Sequence, residues 1–232
     1  MTYFRFHLLF NLPPTLLLLG LAGGAWHLSS LAAVLAVVLL FTSPWDNAAA
    51  RRGIWGFDPA KSGRKIGWLP WEEYLFFLWQ SVNVIGTVAW LFKAFPGLRC
   101  GLPTPVGKGT GIGLAVLIVL WLAAGRLRCV PRWNYARHLL YWFLPVLAAQ
   151  WIVAPALLAA LGPVLAAAGL FWGTYLSLAD WVAVRAGVWH FDAAQISGWK
   201  VRGLPVEEIA FFYLTSLLVA QSYLLLLPAS LR

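Results

Sequence analysis

Charge is scarce in this chain. Asp, Glu, Lys and Arg make up 11% of its 232 residues, while 61% are hydrophobic and mean hydropathy is +0.76. A soluble domain carries roughly 25% charged residues, so that class is excluded and a polytopic membrane protein remains. Acid is scarcer still: eight Asp and Glu face 17 Lys and Arg, a formal net charge of +9. In a soluble domain such an excess would point to nucleic acid. Here the basic residues lie between apolar runs, as in cytoplasmic loops of membrane proteins, and no nucleic-acid partner is expected. The two cysteines, Cys100 and Cys129, flank one expected span, which puts them on opposite sides of the membrane and unbridged. His7, His27, His138 and His190 are scattered without metal-ligand spacing, so no metal is expected. No Gly-x-Gly-x-x-Gly follows a strand. Gly107–Gly113 (GKGTGIG) lacks the Gly-Lys-Ser/Thr ending of a phosphate loop. No cofactor is called for.

Long apolar runs are what the chain has in abundance. A spanning helix needs about 20 mostly apolar residues, and seven segments meet that: 4–22, 28–50, 69–92, 109–125, 134–153, 160–185 and 204–227. The first has the basic, apolar and small-residue layout of a signal peptide (Arg5, then Ala22-Gly23-Gly24-Ala25), but the repeat described next argues that it is retained. With the N-terminus cytoplasmic, 13 basic residues fall on that side and four, Lys93, Arg99, Lys108 and Arg232, on the other. That bias predicts a multi-pass protein of the cell membrane with N-terminus inside and C-terminus outside.

The chain also repeats itself. Asp46, Arg51, Gly53, Trp55, Phe57 and Asp58 recur as Asp180, Arg185, Gly187, Trp189, Phe191 and Asp192 at an offset of 134. After a one-residue gap, Lys65, Leu69, Pro70, Glu72, Glu73, Phe76 and Phe77 recur as Lys200, Leu204, Pro205, Glu207, Glu208, Phe211 and Phe212 at 135. His7-Leu8-Leu9 and Pro14 match His138-Leu139-Leu140 and Pro145 more weakly. The expected fold is all-α, with seven transmembrane helices in a 3+1+3 arrangement of parallel repeats. Its units are a first three-helix repeat at 1–97, a connecting helix at 98–130 and a second repeat at 131–232.

Every acidic residue belongs to that repeat: Asp46, Asp58, Glu72 and Glu73, then Asp180, Asp192, Glu207 and Glu208. A single Pro-x-Glu-Glu reads as helix-start chemistry, because proline suits the first turn and carboxylates there gain about 0.3–1 kcal/mol from the dipole. Two copies at one end of a membrane bundle read as a site, since an acid near hydrocarbon is costly and faces the bundle interior. Glu73, Phe76, Phe77 and Gln80 share one helix face, and Glu208, Phe211, Phe212 and Thr215 repeat it. Gln80 and Thr215 suit either a pocket or a helix–helix hydrogen bond. Adjacent carboxyls in unlike surroundings can divide acid and base roles, and ring faces can stabilise a cation. Most of the 15 tryptophans read as an interface belt. His7 and His138, at matching helix starts, read as structural. A small transporter is the main alternative from another class, but its acids would sit at mid-membrane. A retinal protein would need a lysine within 204–227, and a prenyltransferase would need aspartate-rich clusters.

The repeated Trp-x-Phe-Asp, the basic Gly-containing segment and Pro-x-Glu-Glu-x-x-x-Phe-Phe resemble the membrane lycopene cyclases. These occur as two small subunits, as a tandem single chain, or fused to phytoene synthase in fungi. The resemblance covers essentially the whole chain and is strongest at 46–92 and 180–226. It implies the tandem form and a redox-neutral cyclisation of the ψ-ends of lycopene to β-rings, giving γ-carotene and β-carotene, with C50 or other linear carotenoids as alternative substrates. It further implies Glu72, Glu73, Glu207 and Glu208 as catalytic groups, Asp58 and Asp192 as weaker candidates, and Phe76, Phe77, Phe211 and Phe212 as rings facing the cation. Lycopene, membrane lipid and other enzymes of carotenoid biosynthesis are the partners it implies. Ala193 stands where the first repeat has Pro59, and the second loop is one residue longer, so the halves are not equivalent.

Overall fold

A computed structural model describes residues 1–100, 108–127 and 130–231. Cys129 and Gly107 lie outside the described residues, as does the side chain of Cys100. The chain is mostly helical. Its helices are α1 (Tyr3–Phe6), α2 (Leu12–Ala22), α3 (Leu28–Arg51), α4 (Trp71–Ala94), α5 (Lys108–Arg126), α6 (Asn134–Val153), α7 (Pro155–Ala160), α8 (Gly162–Arg185) and α9 (Val206–Leu226). A π-helical turn, His7–Asn11, joins α1 to α2 without a break.

Among the described residues, five helical stretches are long and apolar enough to cross a membrane: Tyr3–Ala25, Leu28–Arg51, Trp71–Ala94, Gly162–Arg185 and Val206–Leu226. The chain is a membrane protein on that count. Two of the seven expected spans fall outside it. The apolar part of α5, Thr110–Arg126, is shorter, and α6 carries Arg137, His138 and Gln150 within its 20 residues. Large apolar side chains point outward along these helices, among them Leu17, Leu40, Val153 and Leu178. In water that surface would be a liability, whereas in a bilayer it faces its natural solvent.

The two helices that carry Pro-x-Glu-Glu form the centre. The apolar window of α4 is 72% buried, against 28% for α3. α4 packs against α2, α3, α8 and α9, and α9 also contacts α3, α6 and α8. Helices α3 and α8 end alike, on Gly53 (φ 69°) and Gly187 (φ 64°), the left-handed residue that lets a terminal turn close.

Short strands follow, which the apolar periodicity did not announce. β1 (Trp55–Phe57) pairs antiparallel with β4 (Trp189–Phe191), its own counterpart in the other half, with Gly56 opposite His190. β2 (Lys65–Ile66) pairs with β3 (Leu69–Pro70), and β5 (Lys200–Val201) with β6 (Leu204–Pro205). Each of these last two hairpins delivers its chain to the start of a central helix. The second turn holds Arg202 at φ 53° followed by Gly203 at φ 96°, the backbone a tight two-residue hairpin needs.

Candidate active site

In both halves the hairpin is fastened to the helix it precedes. Pro70 and Pro205 occupy the cap position, in extended backbone, one residue before the first turn. Glu72 and Glu207 then turn back onto the loop. Glu72 accepts hydrogen bonds from the Gly63 N–H at 2.8 and 3.1 Å, and Glu207 accepts one from the Ser197 N–H at 2.6 Å. Both carboxylates are buried, and both hold the loop, with Glu207 Oε2 left without a hydrogen-bond partner among the described residues. A Cβ at Gly63 would lie 2.3 Å from Trp71 Nε1, so a larger residue there would have to push that ring aside.

Asp58 and Asp192 sit outside, in the loops. Asp58 accepts from the Ala60 N–H at 2.9 Å and pairs with Lys61 at 3.3 Å. Asp192 accepts from the Ala194 N–H and the Gln195 side-chain amide, each at 2.9 Å. These donors hold both carboxyls below the usual carboxylate range, Ala60 N–H contributing most at Asp58 and Gln195 at Asp192. Each acid closes a turn.

The next glutamates behave differently. Glu73 and Glu208 point into a cavity of about 40 Å³, which Asp46 and Asp180 line from α3 and α8. Tyr3 donates its hydroxyl to Glu73 at 2.7 Å, and Tyr135 donates to Glu208. Trp55 Nε1 donates to Asp46 at 2.8 Å, and Trp189 Nε1 donates to Asp180 at 2.7 Å. Four carboxyl groups, two phenols and two indoles thus surround one space in repeat-related pairs. The paired strands β1 and β4 make this possible, because they place Trp55 and Trp189 on either side of the junction between halves. Among the described residues, Asp180 Oδ2 has no hydrogen-bond partner.

The remaining wall is aromatic. Phe76, Phe211 and Phe212 line the cavity beside Phe57, Phe191 and Trp45. Trp45 stacks on Phe211 at 5.3 Å between centroids, and Phe76 meets Phe212 edge to face at 6.2 Å. Phe77 is fully buried against Tyr74 and lies outside this lining. Gln80 and Thr215 line a separate groove beyond it. Thr215 donates to the Phe211 carbonyl within its own helix at 2.8 Å. The histidines take unlike structural roles, His7 against the Glu72 carbonyl and His138 against the Trp45 carbonyl, each at 2.9 Å.

Of the twelve candidate residues, the structure brings Glu73, Glu208, Phe76, Phe211 and Phe212 to one cavity. It gives Glu72, Glu207, Asp58 and Asp192 to the loops. Sequence reasoning assigned no role to Asp46, Asp180, Trp55 and Trp189, although the repeat contains all four. Tyr3 and Tyr135 escaped it for a definite reason. They correspond at an offset of 132, since Tyr3 N donates to Lys61 O and Tyr135 N to Gln195 O. His7 and His138 match at 131. The first half thus carries one more residue between these two positions than the second, and a π turn follows at His7–Asn11.

The chain is similar to known proteins over most of its length. The chain is 32% identical over 192 residues to the lycopene beta-cyclase of Halobacterium salinarum, covering 83% of this chain and 79% of that one. It is 28% identical over 239 residues to the bifunctional lycopene cyclase/phytoene synthase of Arthroderma gypseum, and 29% over 246 residues to that of Phaffia rhodozyma. Each match spans 94% of this chain but only 40% and 36% of those longer proteins. No family model and no solved structure matches.

Proposed function

The chain belongs to the lycopene cyclase family, and we propose that it cyclises the ψ-ends of lycopene to β-rings at the cavity between Glu73 and Glu208. The observation that carries this reading is the convergence of four carboxyl groups and a wall of aromatic rings on one apolar-walled space. A protonated carboxyl of the cluster gives its proton to the terminal carbon–carbon double bond. The tertiary cation so formed is attacked by the neighbouring internal double bond, closing the ring and moving the charge into it. A carboxylate of the same cluster then takes a ring proton, and the new double bond forms from that C–H pair. One proton enters and one leaves, so product and substrate are isomers and no oxidant is consumed.

Carboxyls sharing a small space exchange protons readily among themselves, which suits a site that must present donor and acceptor together. Tyr3 and Tyr135 orient Glu73 and Glu208 and are positioning residues. Trp45, Phe76 and Phe211 offer ring faces to the cation, each worth about 0.5–2 kcal/mol. Glu72 and Glu207 fix the helix starts, and Asp58 and Asp192 fix the loops.

In the membrane this reading takes the 3+1+3 form: residues 1–97 and 131–232 as parallel three-helix units, joined by a spanning helix within 98–130. α5 and α6 complete seven spans, the N-terminus is cytoplasmic and the acids lie near the cytoplasmic face. The like interactions made by repeat-related residues support it. Lipid surrounds the bundle, and the enzymes that make or use the pigment are its expected neighbours.

The test is expression of this chain in lycopene-producing cells that lack any cyclase, followed by pigment chromatography. Cyclised product is expected. Lycopene left unchanged while the protein is present in the membrane would defeat the reading.

A further inference from the structure

The cavity has room for about one water, whose share of the liquid is ~30 Å³. An end of a polyene must therefore reach the acids by displacing rings. Among the described residues, a groove next to the cavity offers a path. This groove of about 80 Å³ lies between α3, α6 and α9, with Val38, Phe41, Val146 and Leu218 among its walls. Phe143 lines this groove and Phe211 lines the carboxylate cavity, and their rings meet edge to face at 6.1 Å. Trp45 lies against both, at 4.9 and 5.3 Å. Three rings thus separate the groove from the acids. At 1.5 Å per residue, Val38 is ~12 Å along α3 from Asp46, toward the middle of the bilayer. The outer lip, Val37, is 52% exposed.

The corresponding place in the other half is filled. Val38 becomes Trp172, which is 1% exposed and donates to Thr87 Oγ1 at 2.8 Å. Phe41 becomes Tyr175, bonded to the Phe10 carbonyl at 2.8 Å. Val146 and Leu218 become Thr15 and Asn83, joined by a hydrogen bond of 2.6 Å. One side is open and mostly apolar, with Thr42, Gln80, Thr215 and Ser222 as its polar lining; the other is a closed network of side-chain hydrogen bonds.

We infer that the groove between α3, α6 and α9 seats the polyene chain of the substrate as its end enters the cavity, and that Trp172 closes the mirror path. This rests on the cyclase reading, and the occupant is argued from two facts. The groove opens toward hydrocarbon, and rings shared between the two walls join it to the reaction cavity. Both ends of a symmetric polyene would then be served in turn from the same side.

The test compares full-length variants in membranes of lycopene-producing cells. Val38→Trp and Val146→Trp fill the groove and are expected to lower conversion tenfold or more at equal protein level. Leu40→Trp, facing lipid on the same helix, and Phe171→Trp, at the mirror position of Val37, are expected to stay within twofold of the parent. Groove variants that convert as fast as the parent overturn the inference. An inactive parent overturns the cyclase reading instead. If the larger rings prevent membrane accumulation, a diazirine-bearing phenylalanine placed at Val37 decides. Irradiation should attach lycopene there several-fold more than at Phe171, and equal attachment at both overturns the inference.

Discussion

Within one Pro-x-Glu-Glu, the two glutamates are expected to fail differently, and Glu72→Gln against Glu73→Gln separates them. Both changes are nearly isosteric. At position 73 the amide oxygen can still accept the Tyr3 hydroxyl, now 2.7 Å from the carboxylate, so the fold is retained. What disappears is the ability to give or take a proton. General acid–base catalysis contributes about 10²–10⁴ in rate, equivalent to ~2.7–5.5 kcal/mol of barrier. At position 72 the amide oxygen still accepts from the Gly63 N–H, but a charge-assisted bond becomes a neutral one. Hydrogen bonds to charged groups are worth about 1.5–3 kcal/mol and neutral ones about 0.5–1.5, so ~1–1.5 kcal/mol of stability is lost and the chemistry is spared. The assay is initial cyclisation rate per membrane-bound protein, with the thermal unfolding midpoint measured on the same preparations. Glu73→Gln should be slow and stable, and Glu72→Gln active and less stable. The reverse pattern would refute the assignment of the first glutamate to the loop and the second to the cavity.

Three further outcomes follow from the same geometry. Gly63→Ser should destabilise the first half through the clash with Trp71, and Trp71→Val should rescue it, because the second half carries Ser197 with Val206. A double-mutant cycle on thermal stability should return a coupling of at least ~1 kcal/mol, and additive effects would contradict the clash. Asp58→Asn and Asp192→Asn should leave the cyclisation rate within about threefold; a loss of 10² or more, the scale of a removed general acid, would place them in the chemistry. Their folded carboxyls sit below the ordinary range, so their contribution to stability is full above the unfolded value of about 3.9 and fades as pH falls through the folded one. Scans of unfolding midpoint against pH should therefore coincide for parent and variant in shape from pH 5 to 8 and differ only in the acid limb. Tyr135→Phe, which removes the hydroxyl from Glu208, should lower the rate about tenfold or more and shift its pH profile, whereas an unshifted profile would make Tyr135 mere packing.

How far the sequence discloses this molecule depends on the kind of signal. Long apolar runs report membrane helices directly, and α3, α4, α8 and α9 lie where hydropathy places them. α6, expected over 134–153, is a helix over Asn134–Val153, but Arg137, His138 and Gln150 dilute its run below that of the candidate spans. The acids are legible as a set because the repeat spares no other acid. Their division of labour is not legible, because Glu72 and Glu73 are chemically identical neighbours. Only the helix rotation of about 100° between adjacent residues and the return of the loop to Gly63 tell them apart. Asp46 is likewise distant in sequence from Glu73, and the two meet only because α3 and α4 pack side by side. The strand pair β1–β4 is too short, three residues on each side, to leave a period.

A chain of two similar halves could have built two sites, yet it builds one cavity on the junction, and catalysis gives a reason. Proton donation and removal need two groups at once, and a repeat supplies two of each kind only where its halves meet. Equal groups would leave the order of transfer undetermined, so their surroundings must differ. They do: Trp45 lines the cavity where the second half has Ala179, and Phe212 lines it where Phe77 of the first half turns away. The open groove lies on the same side as Trp45. The symmetry that gathers four carboxyls is thus broken by the apolar residues around them, and the large ring that breaks it stands where a substrate from the bilayer would first arrive. Trp45→Ala, which gives both halves the same small residue, should therefore widen the junction with the groove and slow ring closure more than substrate uptake. A loss confined to uptake would assign Trp45 to the path instead of to the cation.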